Sequence, residues 1–174
     1  MISDEELIKS IRAGDESAAE ELVKRYYSDI LRYCRRHLSD QSLAEDAAQE
    51  TFYRVFRSLM RYQDKDYFRA WIYTIARNIC IDENKKQKYI VLHETEDIGK
   101  ESSEIRLIED QNEIERLLTS LPDEQREAIL LYFEEELTYK EIGKILGIPP
   151  RTAQSRVKNG LKKLKKQKGR RDEG

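Results

Sequence analysis

The amino-acid sequence predicts an all-α protein: two small helical domains joined by a flexible linker, the second containing a helix-turn-helix. Three observations lead there. Through most of the chain apolar residues return every three or four positions, the stripe of helices laid on a core. A composition that is 38% charged, with 7 Gly and 3 Pro in 174 residues, favours short helical units over one large core. Residues 89–110 have no sustained period and are mostly acidic, so they read as an extended linker that separates a domain over 1–88 from one over 111–174.

Residues 3–38 predict a pair of helices. Leu7, Ile8 and Ile11 form the stripe of the first, and Gly14 followed by Asp15 supplies a stop and a new N-cap. The second carries Ala18, Leu22, Val23, Tyr26, Ile30, Tyr33 and Leu38 at helical spacing, which assigns Tyr26 and Tyr33 to the core. After a turn at 39–42, Ser42-Leu43-Ala44-Glu45 reads as a capping box opening a third helix to about Met60. Its buried side is Leu43, Ala47, Ala48, Phe52, Val55, Phe56 and Leu59. Its other side repeats Asp46, Gln49, Glu50, Tyr53, Arg54 and Arg57. Charges of both signs there suit a ridge that docks a protein, or a plain solvated face, but not a DNA surface. The next loop, Arg61, Tyr62, Gln63, Asp64, Lys65, Asp66 and Tyr67, has no Gly or Pro. It is either an ordinary connector or a holder that offers an aromatic stack and polar groups to an extruded base.

Residues 68–88, FRAWIYTIARNICIDENKKQK, would form a rod of roughly 30 Å as a helix. Steps of about 100° place Phe68, Trp71, Ile72, Ile75, Ala76 and Ile79 on one side, so Trp71 is assigned to core packing. The opposite side carries Arg69, Tyr73, Thr74, Arg77, Asn84, Lys85 and Lys88, a mixture of cations, an aromatic and amides that suits a nucleic-acid strand. Tyr73, with Tyr62 and Tyr67, is the candidate for stacking on bases. Asn78 and Asp82 fall on the edge of the apolar stripe, where buried polar groups would need partners.

Beyond the linker, where Ile105, Leu107 and Ile108 can already start a helix, Ile114, Leu117 and Leu118 resume the pattern. Asp123 then reads as the cap of a helix through Ala128, Ile129, Leu131 and Tyr132 to Phe133. Thr138-Tyr139-Lys140-Glu141 is a second capping box, opening a helix with Ile142, Ile145 and Leu146 inside. Gly147 supplies a left-handed turn, Pro149-Pro150 start the next helix, and small Gly143 permits a close crossing. That spacing is what a helix-turn-helix needs. Ala153, Val157, Leu161 and Leu164 face inward from the last helix, which presents Arg151, Thr152, Gln154, Ser155, Lys158 and Asn159 outward. Gln154 can pair with an adenine and Arg151 with a guanine, while Thr152, Arg156, Lys158 and Lys162 suit phosphates. A helical hairpin used for protein contact is the competing reading, and it leaves the acid-free face unexplained.

Net charge conceals segregation. Residues 89–136 hold 15 Asp/Glu against 4 Lys/Arg, and residues 137–174 hold 12 Lys/Arg against 3 Asp/Glu. No acid interrupts 151–171. A polyanion partner fits best, although from Lys165 onward a solvated face with a disordered basic tail fits as well. No apolar run approaches the ~18 residues of a membrane span, and the acidic N-terminus is unlike a signal peptide, so a cytoplasmic protein is expected. Cys34 and Cys80 read as reduced core thiols. Cys34 and His37 lack a second pair to complete a metal site. With no glycine-rich phosphate loop and no acid cluster, neither an enzyme, a cofactor, a metal nor a small-molecule substrate is expected.

Three blocks together resemble the extracytoplasmic-function (ECF) group of RNA polymerase sigma factors, of the sigma-70 family. LAEDAAQETFYRVFR (43–57) is similar to that family's polymerase-binding helix, FRAWIYTIARNICID (68–82) to its strand-opening helix, and residues 121–164 to its promoter-reading C-terminal domain. The resemblance implies that Asp46, Gln49, Glu50, Tyr53 and Arg54 bind the clamp helices of the β′ subunit. It implies that Tyr62, Gln63, Asp64, Lys65, Asp66 and Tyr67 hold a base flipped from the −10 element. Asn78 would support or line that pocket, and Arg69, Tyr73 and Arg77 would track the separating strands. Arg151, Thr152, Gln154, Ser155, Arg156, Lys158, Asn159 and Lys162 would read the −35 element as duplex. Core RNA polymerase, including its β flap, promoter DNA and an anti-sigma factor, often membrane-anchored, are the implied partners. Gly143 stands where the family often has Ala, which should fit as well or better; Ala153 and Gln154 replace a frequent Val and Lys. Two rivals from the residues alone are a helix-turn-helix regulator that acts without a holoenzyme and a module that sequesters a partner through charged helices.

Overall fold

The computed structural model describes residues 1–63, 66–94 and 113–172, in two compact units, Met1–Val91 and Leu92–Gly174. In the first unit, α1 (Asp4–Arg12) starts at Ser3, whose hydroxyl accepts from the Glu6 N–H while the Glu6 carboxylate reaches back to the Ser3 N–H. Asp15 caps α2 (Glu16–His37) as the sequence predicts, accepting from Ser17 and Ala18 N–H groups. α3 (Gln41–Ser58) departs from the expected capping box. Asp40 is the cap, and its Oδ1 accepts from Ser42 N at 2.7 Å and Leu43 N at 3.1 Å. A carboxylate two residues earlier satisfies the orphan amides with a full charge, so the helix starts before Ser42 can act.

A 3-10 turn (Leu59–Arg61) leads through the loop to α4 (Phe68–Glu94). α4 runs through 89–94, into the stretch read as linker; the possible helix start at Ile105, Leu107 and Ile108 lies outside the described residues. Its partners on α2 ascend together: Tyr26 against Phe68, Tyr33 against Tyr73, and Asn84 donating to the His37 carbonyl at 2.9 Å. Cys34 and Cys80 are buried free thiols on these two helices. Cys34 donates to Cys80, and that bond, with burial, pushes the Cys34 thiol up.

In the second unit, α5 (Glu113–Thr119) and α6 (Asp123–Phe133) precede α7 (Tyr139–Leu146) and α8 (Pro150–Asp172). Pro122, not Asp123, occupies the cap of α6; Asp123 lies inside the first turn and pairs with Arg126. The chain leaves α6 through Glu136, at a left-handed φ of 53° that is more often given to glycine. Leu118, Leu121, Ala128, Ile129, Leu130 and Val157 form the core, with Leu161 and Leu164 packed on it. Gly160 belongs to that inner line, because a Cβ there would stand 2.4 Å from Ile129 Cδ1. Ile114 is exposed, at the outer side of α5. The basic end of α8 is helical through Asp172, so it is not a tail.

Candidate nucleic-acid interface

The helix-turn-helix is built from local bonds. Thr138 Oγ1 accepts from the Glu141 N–H, and the Glu141 carboxylate returns to the Thr138 N–H at 2.8 Å. Gly147 adopts φ 66° and ψ 36°, and the Ile148 N–H reaches the Gly143 carbonyl at 2.9 Å. A Cβ on Gly143 would stand 2.7 Å from the Ile148 oxygen and 3.3 Å from Pro150 N, so the close approach expected at this glycine is to the backbone that leads into α8. Pro150 opens α8, and the Pro149 carbonyl accepts from Thr152 and Ala153. With Ala153 and Val157 fully buried, helical geometry turns Arg151, Ser155, Lys158, Asn159 and Lys162 outward, and all are exposed. Thr152 and Gln154 are half-buried at the flanks. Arg156 is half-buried too and lies 3.3 Å from Glu124, so its charge is already met by a carboxylate on α6.

The candidate site on the first unit differs from the expected one. Tyr73 is 1% exposed, its ring edge-on to Tyr33 at 5.6 Å, so it cannot face a strand. Tyr62 is 8% exposed and stacks on Trp71 at 4.4 Å, with Phe68 edge-on at 5.8 Å. Trp71 in turn is half-buried rather than core. One ring face rests on Tyr62, and the indole borders a groove of about 480 Å³ with Glu50, Tyr53, Arg54, Arg57, Ile75 and Asn78. The apolar stripe of α4 is rotated toward α2, because Tyr33 and Cys34 pack against Tyr73 and Cys80, on the side that the periodicity alone turns outward. That rotation exposes Asn78 and Asp82, which need no buried partners. It also occupies Asn84 with the His37 carbonyl, and Thr74 donates to the Ala70 carbonyl at 2.7 Å.

Arg69, Arg77 and Tyr67 are half-buried, Gln63 and Asp66 are exposed, and Asp64 and Lys65 lie outside the described residues. On α3, Asp46, Gln49, Tyr53 and Arg54 are exposed and Glu50 is half-buried; Arg54 Nε lies 2.7 Å from Glu50 Oε1. One residue with no expected role, Arg12, fixes the entry to the loop. Its guanidinium donates to the Leu59 carbonyl at 3.1 and 2.8 Å and to the Tyr62 carbonyl. No sequence signal marks it, since those partners lie 47 and 50 residues away. Gly160 is absent from the expected inward line of Ala153, Val157, Leu161 and Leu164, although it falls at the same helical spacing as Ala153, Val157 and Leu164.

The profile of Sigma-70 region 2 matches residues 22–89, and that of Sigma-70, region 4 matches residues 111–164. SigW of Bacillus subtilis, an ECF RNA polymerase sigma factor, is 32% identical over 175 residues, covering 92% of this chain and 94% of its own. SigM of the same organism is 33% identical over 84% of this chain and 92% of its own. The chain belongs to the ECF RNA polymerase sigma factors. A sigma factor of this group directs RNA polymerase to promoters through their −35 and −10 elements, and that is the function here. CnrH, solved in complex with the cytosolic domain of CnrY, matches the fold with a TM-score of 0.70 at 20% identity, over 93% of this chain and 94% of that one. The sigma factor RpoE of Bartonella quintana, solved with the anti-sigma factor NepR, matches with a TM-score of 0.66 at 22% identity, over 84% and 94%. Among the described residues of this sigma factor no group of three or more His, Cys, Asp or Glu could hold a metal ion, and no helix is long and apolar enough to cross a membrane.

Proposed function

We propose that the two units divide promoter recognition as follows. Asp46, Gln49, Glu50, Tyr53 and Arg54 of α3 bind the clamp helices of the β′ subunit. Gln63, Asp66 and Tyr67, with Asp64 and Lys65 between them, hold a flipped base of the −10 element. Asn78 and the open side of Trp71 serve the same strand from the neighbouring groove, and Arg69 and Arg77 follow its phosphates. Tyr62 supports Trp71 from beneath instead of touching DNA, and Tyr73 is structural. Arg151 and Gln154 read bases of the −35 element in the major groove, flanked by Thr152, Ser155, Lys158, Asn159 and Lys162. The β flap receives the second unit, and an anti-sigma factor is the further partner.

The observation that carries this reading is the groove in which Glu50, Tyr53 and Arg54 stand opposite Trp71 and Asn78. A helix bound to polymerase by its ridge would hold the strand-facing edge of α4 beside the enzyme, where the duplex opens. Opening costs about 1.4 kcal/mol per stacked step, so two or three steps need only a captured base and strand contacts. No catalytic group is required. Replacing Asp46 and Glu50 together by alanine should abolish promoter-dependent initiation by reconstituted core enzyme while the far-ultraviolet spectrum of the chain stays that of the parent. Undiminished transcription by that variant would refute the assignment of the ridge.

A further inference from the structure

The cations of α8 continue past the residues assigned to base reading. At about 100° per residue, Arg151, Ser155, Lys158, Lys162, Lys165 and Lys166 share one side of the helix, opposite Ala153, Val157 and Leu164, and all six are exposed. Among the described residues, Lys158, Lys162, Lys165 and Lys166 have no ion-pair partner, whereas Arg156, round the flank, is 3.3 Å from Glu124. The helix is held on its own unit along this length. Leu161 and Leu164 pack against the core, and Ser120 Oγ donates to Gln167 Oε1 at 2.8 Å. Arg151 to Lys166 spans about 22 Å at 1.5 Å per residue. A major groove is about 12 Å wide, so a helix that enters by its first turn outlasts the groove and brings its later turns to the bordering backbone.

We propose that Lys162, Lys165 and Lys166 form a phosphate rail, by which the C-terminal half of α8 grips the DNA backbone beside the −35 element. The rail supplies sequence-independent affinity; the first turns of the same helix supply the readout. It rests on the proposed reading of the −35 element by Arg151 and Gln154, and it extends the contact beyond Lys162. Unpaired lysines repeating at one-turn intervals, with no acid among them, match a backbone of regularly spaced phosphates. Protein interfaces, in contrast, are depleted in lysine.

The test is a salt titration of duplex binding, with the full chain assembled on core polymerase. One duplex carries a −35 element recovered by transcription of a genomic fragment library, and the other has that element scrambled. Lys165→Gln/Lys166→Gln should flatten the slope of log K against log salt by about 1.8, at about 0.9 per phosphate contact, equally on both duplexes. Lys165→Arg/Lys166→Arg should keep the parent slope, and Arg151→Ala should instead compress the ratio between the duplexes. An unchanged slope in the glutamine variant overturns the rail, and if that variant also loses affinity for core polymerase the patch is a protein contact. A parent chain that does not distinguish the two duplexes overturns the −35 reading instead, while the slope change still decides the rail.

Discussion

α4 and α8, of 27 and 23 residues, are both read from their periodicity as helices with one face on a core and another on nucleic acid. For α8 the division holds: Ala153 and Val157 are buried, and Arg151, Ser155, Lys158 and Lys162 are exposed. For α4 it breaks at Tyr73, which is buried, and shifts at Trp71, which borders a groove. The difference lies in the number of neighbours. α8 lays one narrow line, Ala153, Val157, Gly160 and Leu164, on one core. α4 takes Tyr26, Tyr33 and Cys34 from α2 and Tyr62 from the preceding loop, so its buried residues, Phe68, Ala70, Ile72, Tyr73, Ala76, Ile79 and Cys80, spread round more than half of the helix. One docking stripe is legible as a period; overlapping stripes blur it.

The contrast can be broken most directly at Tyr73. Tyr73→Ala removes a fully buried ring and should cost about 3–5 kcal/mol, lowering the first thermal transition of the chain. Ser155→Ala, at an outward position of α8, should stay within about 0.5 kcal/mol of the parent. Equal melting of the two variants would return Tyr73 to the surface. A smaller effect is expected at Arg12, which holds the Leu59 and Tyr62 carbonyls from an exposed side chain. Arg12→Gln should cost about 1–2 kcal/mol in urea denaturation and reduce discrimination between promoters that differ at the −10 base. Discrimination at the −35 element, set by α8, should not change.

The smallest effect sharpens the α2 side of α4, where Tyr26 meets Phe68 edge-on. Burial, and then its hydrogen bond to Asp4, push the Tyr26 phenol above its ordinary 10.0. The folded state therefore keeps this proton more tightly than the unfolded chain does. The stabilisation is fully present below about pH 10 and is lost as pH rises through the folded value. Melting curves from about pH 8 to 11 should show the parent losing stability above its ordinary tyrosine range and Tyr26→Phe losing less. Parallel losses would sink the assignment.

Legibility follows distance along the chain. The caps at Asp15 and Thr138 act within three residues, and both are as expected. The cap of α3 is Asp40 instead of the expected Ser42, because the two lie over the same few amides and the charged group prevails. The stack of Tyr62 on Trp71 joins residues separated by the loop and a helix turn, and the Arg12 bonds span half of the first unit; neither has a local signature. Tyrosine compounds the difficulty, because its ring is as apt for a core as for a base.

The strand of signals from Thr138 to Asn159, comprising capping box, left-handed glycine, double proline and periodic apolar positions, is enough to establish the helix-turn-helix and its outward face. Each of those signals acts on backbone groups a few residues away, so the chain states them in order. Which side of α4 faces solvent is a property of its neighbours. α2 and the loop contribute aromatic rings that cover it from two directions, and only their packing leaves Trp71 and Asn78, rather than Tyr73, at the open edge.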